Sequence, residues 1–114
     1  MDQLSALAVS ITVEGITASL LLARQGRAKA LRGVAAAALA TIVTHPVAWW
    51  STETLAPAIG YGETVAVVEA LVCLAEAPAY RLLVPVGWPA AVAVSVAANL
   101  ASMLAGLLYY ASRA

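Results

Sequence analysis

The chain contains no phenylalanine, one cysteine and one histidine, and only six basic and six acidic side chains in 114 residues. Each scarcity excludes something. The lone Cys73 permits no intrachain disulfide and no cysteine-based zinc cluster, and reads as a buried free thiol. A net charge of zero leaves no electrostatic footprint for nucleic acid, so no such partner is expected. No basic segment precedes the first apolar run in MDQLSALAVS, which therefore reads as a retained span and not a cleaved signal. Several chemical signatures are also missing: a Glu-x-x-His pair, His-Glu-x-x-His, a Ser/His/Asp set, a glycine-rich phosphate loop and paired cysteines. Di-iron chemistry, intramembrane proteolysis and nucleotide hydrolysis are disfavoured accordingly.

What is present is apolar. The chain is 63% hydrophobic and 11% charged, with a mean hydropathy of +0.91. An ordinary soluble domain is about 45–50% apolar and about 25% charged. A fold this short could not hide so much apolar surface from water, so lipid is the expected solvent. The composition predicts an all-α, polytopic membrane protein. Four segments approach the ~20 residues needed to cross, at about 4–23, 33–50, 62–81 and 89–111. The short connections make them two antiparallel hairpins in one domain. Gly26 breaks the first connection, STETLAPAIGYG forms an outer loop that could fold back over the mouth, and VPVGWP forms the third. Pro89 suits the first turn of the last helix.

Orientation follows from the basic residues. Arg24, Arg27, Lys29 and Arg32 fall between the first two spans, and Arg81 ends the third on the same side. The positive-inside rule makes that side cytoplasmic and places both termini outside, with Arg113 a minor exception. Trp49, Trp50, Tyr61, Tyr109 and Tyr110 sit at outer span ends, and Tyr80 and Trp88 at inner ends, the pattern of interfacial aromatic belts. A bacterial or archaeal cytoplasmic membrane is the expected location.

Within this apolar frame lie residues that lipid does not tolerate freely. Glu14, Glu69 and Glu76 fall inside spans, with His45 and Asn99. Glu69 and Glu76 are two helical turns apart and share a face. A carboxylate in hydrocarbon costs a few kcal/mol or more, and such residues face a bundle interior or a water-filled cavity. With no basic residue at mid-depth, repulsion between the carboxylates is offset by protons or by a cation. Depth along the spans predicts an upper layer of Glu14, His45, Glu69 and Asn99. A lower layer, toward the cytoplasm, would hold Glu76 and Ser95 with Arg81 or Tyr80.

Carboxylates with an imidazole suit a divalent metal ion, with Glu14, His45 and Glu69 as its ligands. The same groups suit a proton relay ending at Glu76. Each residue also has a plain structural role available. Thr17 could bond Glu14, and Glu76 could pair with Arg81. His45 could satisfy the break at Pro46. Ser95, Asn99 and Ser102 share a face that could join helices, beside the small-residue ridge Ala98, Ser102 and Gly106. Glu53 and Glu63 could make an acidic outer mouth.

The leading functional expectation is binding, and conduction or transport, of a proton or divalent cation through this interior. A homo-oligomer would enlarge the pathway, with the ridge of the fourth span as contact. The alternative is a non-catalytic subunit or assembly factor of a larger membrane complex. An intramembrane enzyme acting on lipid or quinone ranks last, because no nucleophile or cofactor motif supports it.

Overall fold

In a computed structural model that describes residues 1–113, the chain forms four helices. They are α1 (Gln3–Leu22), α2 (Arg27–Ile59), α3 (Tyr61–Leu83) and α4 (Trp88–Ser112), with a 3-10 turn at Ala23–Gln25. Each helix packs against two neighbours in a square, and only the diagonals α1/α3 and α2/α4 lack backbone contact. The result is an all-α bundle of antiparallel hairpins.

Local chemistry explains the ends. Asp2 caps α1 by accepting the Ser5 amide at 2.7 Å. That bond holds the Asp2 carboxyl below its ordinary value, so the cap weakens only as pH falls through the lowered value. Pro89 sits in the first turn of α4, where its missing N–H costs nothing. Arg32 Nη1 donates to the terminal Leu83 carbonyl of α3 at 3.4 Å, tying α2 to that helix end. Gly26 and Gly60 adopt φ of 109° and 96° with extended ψ, a region essentially reserved for glycine. A Cβ at Gly26 would meet nothing within 4 Å, so only backbone strain opposes it. Gly26→Ala is therefore expected to lower stability by about 1–3 kcal/mol in detergent unfolding, with the secondary structure unchanged.

The second segment departs from its expected bounds. The helix does not end near residue 50, and the outer loop is not a loop: residues 51–59 continue α2, and Gly60 alone joins it to α3. Apolar sequence stops at Trp50, but nothing there stops a helix. The Thr52 and Thr54 hydroxyls bond the carbonyls of Ala48 and Trp50, and Trp49 Nε1 donates to Glu53 at 3.0 Å. Pro46 and Pro57 are both carried within the helix. At 1.5 Å per residue the contour of α2 is about 50 Å, beyond both a ~30 Å hydrocarbon layer and the molecule's own longest extent of 43 Å. Its last turns therefore extend the acidic end of the bundle.

The surface is inverted relative to a water-soluble fold. Seven of the thirteen buried apolar residues are alanines, while Leu4, Val43, Leu74, Leu82 and Leu108 are each at least 69% exposed. Small residues inside let the helices approach, and branched residues outside meet an apolar solvent. Gly33 marks the closest approach of α1 and α2, where a Cβ would lie 2.5 Å from Leu22 Cδ1 and 3.6 Å from Ala18 Cβ. Three helices, α1, α2 and α4, are long and apolar enough to cross a membrane. The expected fourth, α3, has the length, but Glu63, Glu69, Glu76 and Arg81 interrupt its apolar run. The fold is thus a bundle of three to four long apolar helices, consistent with a membrane protein.

The two ends differ in charge. Chain direction puts Arg24, Arg27, Lys29, Arg32 and Arg81 at one end, with no acidic residue. Asp2, Glu53, Glu63 and Arg113 lie at the other. We call these the basic and acidic ends.

Candidate functional site

Glu76 is the hub of the interior. It is 1% exposed, on the inner face of α3. Thr44 Oγ1 of α2 donates to its Oε2 at 2.6 Å, and Asn99 Nδ2 of α4 donates to its Oε1 at 2.9 Å. Glu14, 2% exposed, projects from α1 and accepts the Thr41 hydroxyl at 3.0 Å. The two carboxyl groups face each other across the α1/α3 diagonal and line one small space of about 40 Å³. Glu14 Oε1 is buried and takes no hydrogen bond from a described residue. Two carboxylates facing one such space repel unless one carries a proton or a cation sits between them. Every helix of the square contributes to this layer.

Supporting contacts lock it. Asn99 Nδ2 also donates to the Ser95 carbonyl, and the Ser95 hydroxyl donates to the Cys73 carbonyl at 2.8 Å, joining α4 to α3. That carbonyl lies beside the one at Leu74, which Pro78 deprives of its helical donor. Ser102 donates to Ser10 at 3.0 Å and joins α4 to α1. These residues act as interhelical ties.

Toward the acidic end the layer opens into a cavity of about 320 Å³, lined by His45, Trp49, Glu53, Tyr61, Glu69 and Tyr110 among others. His45 and Glu69 also border the small space below, so the two adjoin. Toward the basic end the interior is apolar: Leu22, Ala36, Ala37, Tyr80, Val84, Ala91 and Val94 form one buried cluster. The polar layer is the floor of a vestibule open at one end and sealed at the other.

Several expectations are corrected. The two predicted layers are merged: Glu14, His45, Glu69 and Asn99 line one small space as expected, but Glu76 joins them and bonds Asn99, with Glu69 seven residues away, about 10 Å nearer the acidic end. Glu76 is seven residues and Glu14 eight from the basic ends of their helices, which is why they share that space. Tyr80 belongs to no aromatic belt; it is 1% exposed within the seal, and its hydroxyl is buried without a partner. Arg81 does not join Glu76 but lies over the Trp88 ring, 5.9 Å from its centroid. The Thr17 hydroxyl bonds the Val13 carbonyl in its own helix and not Glu14. The ridge of the fourth span is not a free contact surface, because Ala98 is fully buried and Ser102 is tied to Ser10. Glu53 reaches the cavity but accepts from Trp49, and Glu63 instead folds over Gly60.

His45 is half-buried beside Trp49, with ring centroids 5.9 Å apart, and its Nδ1 is buried without a partner. Among the described residues no three His, Cys, Asp or Glu side chains are grouped to hold a metal ion. Sequence reasoning missed Thr41 and Thr44, the donors to the two central carboxylates. Thr41 stands one turn before His45, so the signal was there, but a threonine in a helix most often bonds its own backbone.

Family models, curated proteins and solved structures gave no match to this chain.

Proposed function

We propose that this is a small integral membrane protein whose bundle interior binds a proton, or a cation in its place, at the Glu14–Glu76 pair. One observation carries the reading. Two carboxyl groups, each buried, line one small space at the bundle centre beneath an open vestibule that has no lysine or arginine in its lining. A shared proton would remove the repulsion and would fill the bond that Glu14 Oε1 lacks.

On this reading all four helices cross, because α3 turns Glu69 and Glu76 inward and shows lipid its Leu71 and Leu74 face. The basic end is cytoplasmic and both termini lie outside. Protons enter from the acidic end past Glu53, His45 and Glu69. The imidazole and the Glu69 carboxyl are the groups that can hand a proton inward. Thr41, Thr44 and Asn99 orient the pair. Transfer onward to the cytoplasm requires the Tyr80 seal to move.

The test is infrared difference spectroscopy of the full chain in lipid. A protonated-carboxyl stretch that shifts in D₂O is expected at neutral pH, and Glu14→Gln should remove it. A wild-type spectrum with no such band, in a sample shown to be folded, would overturn the shared proton.

A further inference from the structure

We infer that the vestibule is a binding site for a small organic ammonium ion carrying an apolar, ring-sized body. The inference deepens the proposed cation handling and rests on the same vestibule, though not on the carboxyl pair beneath it.

Four features of the cavity converge. Its volume of about 320 Å³ falls within the range of small-molecule sites, about 300–1,000 Å³, and far exceeds what a bare proton or metal ion needs. Trp49, Tyr61 and Tyr110 present aromatic rings at its walls, the surfaces that attract a weakly hydrated cation. Val65, Val68 and Leu107 supply apolar wall for a hydrocarbon body. Its charged side chains are of one sign, with Glu53 near the mouth and Glu69 deeper and no lysine or arginine, while Met1 brings the chain's amino terminus to the lining.

Glu69 is the residue that selects charge. Glu14 and Glu76 are engaged by Thr41, Thr44 and Asn99, and Glu53 by Trp49. No described residue donates a hydrogen bond to Glu69, although it is only partly exposed. His45 also lines the cavity, but its unpartnered Nδ1 is buried away from the space, which leaves Glu69 as the acceptor there. An ammonium group seated at Glu69 would supply the donor that carboxylate lacks, and its apolar body would fill the space toward Met103 and Tyr110. A neutral ligand of equal size would gain the wall contacts alone.

Equilibrium binding of two probes to the purified full chain tests this. They are 2-phenylethylammonium and the uncharged 2-phenylethanol, which is close to it in size. The ammonium is expected to bind at least about tenfold more tightly, from ion pairing and ring contact combined. Glu69→Gln should erase that preference while leaving the weaker alcohol binding in place. Gly106→Leu is a second handle: Gly106 lines the cavity, and a Cβ there meets nothing within 4 Å, so the larger side chain fills the space without a backbone clash. It should abolish saturable binding of both probes. Equal affinity for the two probes in the wild-type protein would overturn the site, as would binding that survives Gly106→Leu. The two readings fail separately, since the infrared band reports the carboxyl pair whether or not an ammonium binds.

Discussion

Replacing Tyr80 by alanine is expected to make liposomes containing the protein leak protons. Tyr80 is the largest side chain of the apolar cluster that closes the basic end, and it is 1% exposed. Its ring lies one turn from Glu76 toward the basic end. Truncation removes the wall between the polar layer and the basic end and opens a path for water. The same cavity should lower stability by about 3–5 kcal/mol, the usual range for a large aromatic truncated in a core. Tyr80→Phe separates plugging from hydrogen bonding. The hydroxyl has no partner in the structure, so its loss should leave stability equal or higher and the vesicles tight. A pH-sensitive dye trapped inside the vesicles reads the result. Vesicles with correctly folded Tyr80→Ala that hold a gradient as well as wild type would show that the seal lies elsewhere.

Glu76→Leu and Glu76→Gln are expected to move stability in opposite directions. Leucine leaves the half-buried Thr44 hydroxyl without its acceptor and the Asn99 amide with the Ser95 carbonyl alone. Each abandoned buried group costs about 1–3 kcal/mol, while the new apolar side chain and alternative partners inside a membrane bundle recover part of it. A net loss of about 2 kcal/mol is expected. Glutamine keeps a carbonyl acceptor for Asn99. Its amide nitrogen can donate to Glu14 Oε1, which has no donor in the native chain, and the Thr44 hydroxyl can turn to accept. That substitution should be neutral or stabilising, and it should abolish proton binding by the pair because no shared proton remains. Unfolding in mild detergent separates the outcomes. If leucine were tolerated as well as glutamine, Glu76 would not be the hub that its hydrogen bonds describe.

The sequence by itself determined the expected solvent, the helices and the list of suspects. An apolar fraction this high in so short a chain points to lipid as its solvent, and the bundle of long apolar helices is consistent with it. Charge placement at the two ends and the in-span positions of Glu14, His45, Glu69, Glu76 and Asn99 can be read directly, because they are one-dimensional facts. Two things could not be read that way. The length of α2 depended on whether residues 51–59 kept helical hydrogen bonds after the apolar run ended, and hydropathy carries no information on that point.

Only the tertiary structure decided which carboxylate meets which. Helix offsets along the bundle axis bring Glu76 level with Asn99, in the small space that Glu14 also lines, and leave Glu69 nearer the acidic end. A shift of two turns, about 10 Å, would have exchanged the roles of Glu69 and Glu76. The same packing turned Thr41 and Thr44 toward the carboxylates and drew Tyr80 from an expected belt into the seal. Spacing along a helix specifies the face a residue occupies. Its depth relative to other helices is set by close packing at sites such as Gly33 against Ala18 and Leu22, which exists only once the chain has folded.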